Sequence, residues 1–285
     1  MALPDNFDVT EFVQSVLAED LGKGGDVTSN ATISEDARFT AEMNARQSII
    51  VAGIDIAAAF FRALDPEIEI ELLAGDGDRV EHGATLMRFA GNARAMLAAE
   101  RSALNTLQHL SGIATMTRQY VDAIAGTGTI LIDTRKTIPG LRVLEKFAVR
   151  MGGAQNHRMR LDDGVLIKDN HVAVCGCVAE AVRRAKAANT GLQVQVEVDR
   201  IDQIDPALAA GADRLLLDNM DPAQLREAVR TVGGRVPLEA SGGVTLETIR
   251  FLAETGVDFI SVGRITQSAP AVDIGLDYSL QELPA

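Results

Sequence analysis

A chain of 285 residues with 47% hydrophobic residues and 25 glycines has room for two domains or one large α/β unit, and its composition excludes a disordered or fibrous protein. Its net charge of −13 argues against sequence-independent nucleic-acid binding, which needs a basic surface to neutralise phosphates. No apolar run approaches the roughly 18 residues of a membrane span, and the start MALPDNFDVT has neither the basic nor the apolar part of a secretory signal.

Up to about residue 110, alternating apolar and polar residues predict strands at Phe39–Ala45, Ser48–Ala52, Glu67–Leu73 and Thr85–Phe89, with helices over Val9–Glu19 and Ile54–Leu64. This is an α+β unit. A helical pattern then runs from Ala95 to Ala125, and Gly112 within it marks either a break or a close approach. Beyond it come six short apolar strands: Ile130–Asp133, Val165–Lys168, Gln193–Val198, Arg214–Leu217, Val236–Glu239 and Phe259–Val262. Helical patterns at Val178–Ala188, Ala223–Val232 and Leu246–Thr255 alternate with them. Strands apolar along their whole length indicate a parallel sheet covered by helices. Six units fall short of a closed eight-stranded barrel, so an incomplete, open α/β barrel is expected, with a doubly wound sheet as the second choice. The expected domains are residues 1–110 and 111–274, with the tail 275–285 packing back onto the first.

Charge is unevenly distributed. Residues 133–171 carry eight Lys and Arg against five Asp and Glu, a net +3, which leaves −16 for the rest of the chain. The basic residues flank Gly, Pro and Asn instead of repeating at helical spacing, so an anion site explains them better than a solvated helix face. Arg offers a fork matched to carboxylate and phosphate, and Lys a compact charge.

Every predicted barrel strand ends on polar residues, where loops converge on one mouth. These are Asp133-Thr134-Arg135-Lys136, Lys168-Asp169-Asn170-His171, Glu197-Val198-Asp199, Asp218-Asn219, Glu239-Ala240-Ser241-Gly242-Gly243 and Ser261-Val262-Gly263-Arg264. Any one of them could simply make a turn or cap a helix. Six together indicate a site. The glycine-bearing last two loops suit a phosphate cradle. Glu197 and Asp218 lie one βα unit apart, and suit either a magnesium–phosphate complex or a cation developing on a sugar, with salt bridging to nearby Arg and Lys as the plainer alternative. Lys136 or Lys168 could instead form a Schiff base. Cys175 and Cys177 are too close together to staple a loop and lack partners at zinc-ligand spacing; they read as reduced thiols of a cytoplasmic protein.

Taken together, the run from Asp133-Thr134-Arg135-Lys136-Thr137 through Asn156-His157-Arg158 to Leu166-Ile167-Lys168-Asp169-Asn170-His171 resembles the signature of the quinolinate phosphoribosyltransferases, also called nicotinate-nucleotide pyrophosphorylases. The resemblance extends to Glu19-Asp20-Leu21-Gly22, Glu100-Arg101-Ser102, Val196-Glu197-Val198-Asp199 and Leu217-Asp218-Asn219, so it spans nearly the whole chain. It implies an N-terminal α/β sandwich and an open barrel, paired in a homodimer so that one subunit's sandwich covers its partner's mouth. It implies transfer of phosphoribosyl from phosphoribosyl pyrophosphate (PRPP) to quinolinate with Mg²⁺, leaving nicotinate mononucleotide, pyrophosphate and CO₂.

Carried onto this chain, the resemblance puts Arg135, His157, Arg158 and Lys168 on the quinolinate carboxylates, joined by Arg101 from the neighbouring subunit. Lys136 and Lys168 meet the diphosphate and belong, with Glu197 and Asp218, to the catalytic set. Glu197 and Asp218 hold the ribose or its metal, directly, through water or through PRPP. Ser241, Gly242, Gly243, Gly263 and Arg264 surround the 5′-phosphate, and His171 supports its loop. Ala154 and Arg160 stand where the family has glycine, so that loop is expected to bend differently or carry extra charge. A paralogue of the molybdenum-transport type, binding another anion, is the alternative that the intact Thr134–Thr137 and Asn156–Arg158 motifs oppose.

Overall fold

A computed structural model describes residues 7–279. In chain order its elements are α1 (Val9–Leu21), α2 (Val27–Thr32), β1 (Arg38–Ala45), β2 (Ile49–Ile50), α3 (Ile54–Leu64), β3 (Glu69–Leu72), β4 (Arg79–Val80), β5 (Thr85–Asn92) and α4 (Ala93–Ala123). There follow β6 (Ile130–Ile132), α5 (Arg142–Met151), β7 (Val165–Ile167), α6 (Asp169–Cys175), α7 (Val178–Ala187), β8 (Val194–Val198), α8 (Ile204–Ala209) and β9 (Arg214–Asp218). The last are α9 (Pro222–Val232), β10 (Leu238–Ser241), α10 (Ile249–Ala253), β11 (Phe259–Ser261), α11 (Arg264–Gln267) and β12 (Ile274–Ser279). Within the described residues these form two units. One comprises the chain up to Met116, Val143–Gly153 and the chain from Ser268; the other comprises Thr117–Arg142 and Ala154–Gln267.

The first unit is built on an antiparallel sheet in the order β12-β1-β5-β3. β1 alternates buried and less buried residues, as a strand with one covered face must. Its buried side carries Ala41 and Met43, and Met43 stands opposite Met87 of β5 and Leu276 of β12. Helix α3 covers this layer with Phe60 and Phe61; the Phe61 and Phe89 rings lie 4.5 Å apart. The tail strand β12 pairs with β1 over Ile274–Ser279; the part of the expected tail beyond Ser279 lies outside the described residues.

Helix α4 is unbroken at Gly112. That glycine lets the chain approach closely, since a Cβ there would sit 2.2 Å from the Pro270 carbonyl oxygen. The sequence reading keeps residues 143–153 and 268–274 with the barrel, whereas in the structure both segments belong to the first unit. Long-range contacts explain it: His109 of α4 meets the fully buried Glu145 of α5 at 2.9 Å, and Gly112 meets Pro270.

The second unit holds a six-stranded, all-parallel sheet in the order β6-β11-β10-β9-β8-β7. β8 and β9 are buried along nearly their whole length, as strands covered on both faces are. β6 and β7 do not pair, which leaves the barrel open; only Gln155 adds a single parallel bridge beside Ile132. All six predicted strands are present, shifted by at most two residues at an end. Five helices have no counterpart in the sequence reading, among them the four-residue α11. α2, α6 and α8 span only six, seven and six residues. α5 buries two charged side chains, Glu145 and Lys146, among its apolar ones, which hides its periodicity. α10 is shorter than expected, because residues before it form a turn in which Thr248 Oγ1 accepts from Thr245 N at 3.0 Å.

Candidate active site

Register fixes which side chains share a face. Leu166 pairs with Gln195, Gln195 with Arg214, Glu197 and Glu239 with Leu216, Ser241 with Asp218, and Phe259 with Glu239. Side chains alternate along a strand, so Gln195, Glu197, Arg214, Asp218, Glu239 and Ser241 all point to one face. They form two levels. Gln195, Arg214 and Glu239 make a floor, and Glu197, Asp218 and Ser241 stand nearer the C-terminal strand ends.

The floor is an ionic network centred on Glu239. Glu239, 1% exposed, lies 2.8 Å from Arg214 Nη2, 2.8 Å from Gln195 Nε2, which donates to it, and 3.5 Å from His157 Nε2. The Arg214 contact is ionic and poorly aligned for a hydrogen bond. The guanidinium lies 3.9 Å over the Phe259 ring. Burial pushes the Glu239 carboxyl up, but His157 and Arg214 outweigh it and hold the group below the usual carboxylate range. Glu239, which the sequence reading places at the mouth, is therefore part of the interior.

Above β6 the chain is fastened by Asp133, fully buried, whose carboxylate accepts from Asn156 Nδ2 at 2.7 Å and from His157 N at 2.8 Å. This ties the Asp133–Lys136 loop to the Asn156–Arg158 loop, two segments the sequence assigns to one ligand. His157 turns inward: Nε2 meets Gln195 Oε1 at 3.1 Å and Nδ1 accepts from Arg158 N at 2.7 Å. Both ring nitrogens of His157, a residue expected at the substrate carboxylates, are thus engaged within the protein. Arg158 Nη1 donates to the Gly164 carbonyl at 2.9 Å. Burial, and after it the charge of Arg135, hold the Arg158 guanidinium below its usual range. Arg135 is half-buried and its Nε is buried without a hydrogen-bond partner. Two partly buried arginines, near enough for the charge of one to act on the other, invite an anion.

Lys136 runs past Gly263, where a Cβ would stand 2.7 Å from Lys136 Cδ, and its carbonyl accepts from Thr266 Oγ1 at 2.7 Å. The first and last loops of the barrel, both expected on the phosphate side, are therefore adjacent. Lys168 is exposed at the end of β7, and His171 Nδ1 accepts from Lys168 N at 2.9 Å, capping α6. Burial and the neighbouring Asp218 push the Glu197 carboxyl up; burial likewise raises Asp218, with Asp169 adding to both and Lys168 opposing both. The two carboxylates thus share one neighbourhood with Lys168. Among the described residues no three His, Cys, Asp or Glu side chains group as a protein-borne metal site.

Ser241 ends β10, and its carbonyl accepts from Asn219 N at 2.8 Å. Gly242 and Gly243 follow with φ of 101° and 60°. Arg264 is exposed at the start of α11, and its charge opposes the rise that burial gives the Tyr120 phenol. Arg101 is exposed on α4, in the first unit. Ala154 is buried, and the added cation Arg160 pairs with Asp162 in its own loop at 2.9 Å, so its charge is spent locally. The functional residues not singled out in the sequence are Asp133 as a tether, Gln195 and Arg214. Period-two counting back from Glu197 and Asp218 finds Gln195 at one step and Arg214 at two.

An open parallel barrel whose strand ends gather paired arginines, lysines, paired carboxylates and a glycine turn defines an enzyme class that handles polyanionic substrates at the barrel mouth. Models of the quinolinate phosphoribosyl transferase N-terminal and C-terminal domains match residues 26–111 and 113–277, and the chain belongs to this family. It is 43% identical to a Mycobacterium leprae protein named nicotinate-nucleotide pyrophosphorylase (carboxylating), covering 93% of this chain and 95% of that one. A Synechocystis protein with the probable form of that name is 41% identical over 96% of this chain and 94% of its own. The structure of the nicotinate-nucleotide pyrophosphorylase from Francisella tularensis superposes with a TM-score of 0.91 at 42% identity, covering 95% of this chain and 96% of that one.

Proposed function

We infer that this chain transfers the phosphoribosyl group of PRPP to quinolinate with decarboxylation, a pentosyl transfer that yields nicotinate mononucleotide, pyrophosphate and CO₂ for NAD biosynthesis. The observation that carries the reading is that Arg135 and Arg158, both partly buried, lie near enough for the charge of one to act on the other, which suits a dianion such as a pyridine dicarboxylate. In this reading Arg135, Arg158 and Lys168 hold the two carboxylates, and His157 keeps Arg158 in place. Arg101 of the partner subunit in a homodimer completes the clamp. Lys136, Ser241, Gly242, Gly243, Gly263 and Arg264 take the phosphates of PRPP.

The pyridine nitrogen attacks the anomeric carbon as pyrophosphate leaves. The resulting pyridinium accepts the electron pair released when the adjacent carboxylate departs as CO₂, and a proton then fills the vacated ring carbon. No covalent nucleophile is required, so the protein contributes orientation and electrostatics. Glu197 and Asp218 face the ribose, where positive charge develops. Two neighbouring carboxylates also fit Mg²⁺, which takes one or two protein carboxylates and completes its shell with water and substrate phosphate. When bound, it neutralises charge on the departing pyrophosphate. The unbridged cysteines Cys175 and Cys177 support a reducing, cytoplasmic setting.

The test is an assay with quinolinate, PRPP and Mg²⁺, with nicotinate as rival acceptor. Nicotinate mononucleotide and CO₂ from quinolinate alone are expected. Product from nicotinate would mean that the second carboxylate goes unread, and no product from either would overturn the reading.

A further inference from the structure

Asn219 follows Asp218 at the end of β9 and has φ of 54°, in the left-handed region that a side chain other than glycine seldom adopts. Three contacts hold it there. Its Nδ2 donates to Asp218 Oδ2 at 2.6 Å. Its backbone N donates to the Ser241 carbonyl at 2.8 Å. Its Oδ1 lies so close to Gly242 that a Cβ on that glycine would stand 2.1 Å away. One residue therefore touches both the carboxylate expected at the ribose and the turn expected at the 5′-phosphate. Those two features come from neighbouring strands, where Asp218 stands opposite Ser241 in the parallel ladder.

We propose that Asn219 is a positioning residue that aims the Asp218 carboxylate and sets the Ser241-Gly242-Gly243 turn as one rigid piece, the PRPP side of the site. The proposal rests on the reading given under Proposed function. The left-handed backbone puts the amide where it can reach Asp218 and Gly242 at once, and explains why residue 242 is glycine. Local strain persists where the surrounding structure fixes it, and such positions concentrate at functional sites.

The test uses the full chain and two substitutions. Asn219→Gly accepts the left-handed backbone without strain, so its melting temperature should equal or exceed that of the wild type. Asn219→Asp keeps the shape against Gly242 but replaces the donor that meets Asp218. In both, kcat/KM for PRPP should fall by about 10–100-fold, as when an outer residue that orients a ligand-binding group is lost. Quinolinate affinity, titrated calorimetrically without PRPP, should not change, and PRPP affinity with Mg²⁺ should weaken. Unchanged PRPP kinetics in Asn219→Gly, or equal losses for both substrates, would overturn the proposal. A wild-type chain that makes no nicotinate mononucleotide would instead sink the reading beneath it.

Discussion

The floor and the mouth of the barrel are built from the same residue types and solve opposite problems. On the floor every charge meets its complement: Arg214 lies against Glu239, which also takes Gln195 and His157. At the mouth like charges also stand near like, with Asp163 opposing the effect on Arg158 and Lys168 that on the carboxylates. Arg135 lowers the pKa of Arg158, and Asp218 raises that of Glu197, in each case on top of the effect of burial. A folded chain gains nothing from such pairs. They are tolerable because a dianion at the arginines, and a cation at the carboxylates, would relieve them. The floor is therefore structural chemistry, and the mouth gathers like charges that a ligand of opposite charge would relieve.

If that division is right, mutations at the two levels separate stability from turnover. The largest effect is expected for Glu239→Ala, which strands the buried Arg214 guanidinium. Removing one partner of a buried pair costs about 3–5 kcal/mol, read as a lower urea midpoint at unchanged m-value. A loss below about 1 kcal/mol would show the floor to be hydrated and the contrast false. Arg135→Ala should do the reverse. It removes a cation that repels Arg158, so stability holds or rises slightly. Transition-state stabilisation should fall by about 2–5 kcal/mol, roughly 30- to 5000-fold in kcat/KM for quinolinate. Normal kinetics in this variant would take Arg135 out of the clamp.

The sequence discloses these two levels unequally. The six strands are legible because each is a short run rich in apolar residues, and the mouth is legible because Arg135, Lys168, Glu197 and Asp218 lie at or just past the C-terminal ends of such runs. The floor is not, since Gln195, Arg214 and Glu239 acquire meaning only when parallel pairing places them on one face. The inward turn of His157 is hidden for the same reason: its partners come from two other strands. Helix α5 escapes because its buried Glu145 and Lys146 imitate a solvated face, and its membership of the first unit depends on His109, far away in the chain. Local chemistry is readable from sequence; complementarity across strands needs the register.

A subtler consequence concerns the carboxylates. Burial first, and Asp218 next, raise the Glu197 pKa above its ordinary value. A raised carboxyl pKa favours the protonated folded state, so this contribution to stability is complete below the ordinary pKa of about 4.3 and is lost as pH rises through the folded value. Once ionised, Glu197 is therefore a stability liability. Glu197→Gln should unfold at a higher temperature than the wild type at pH 7, with the difference closing in acid, while turnover collapses. A melting temperature lower at pH 7 than the wild type's would mean that Glu197 is satisfied in the free protein, and the mouth would then resemble the floor.

The smallest effect is expected away from both levels. In the first unit Tyr278 donates to Glu100 Oε2 at 2.6 Å, and its phenol is pushed up to about 12 by burial and then by that carboxylate. Tyr278 is half exposed, with Arg101 opposing the shift. This is a satisfied pair, like those of the floor, but wet. Its stabilisation should be present below the ordinary phenol pKa of about 10 and vanish as pH rises through about 12. Because solvent screens it, Tyr278→Phe should cost less than about 1 kcal/mol at pH 8. The chain has two tyrosines and no tryptophan, so phenolate absorbance reads them cleanly. The wild type should ionise its tyrosines late, since burial also raises Tyr120, and Tyr278→Phe should remove the step near 12. If a tyrosine instead titrates near 10 and disappears in that variant, Glu100 does not accept from Tyr278 in solution.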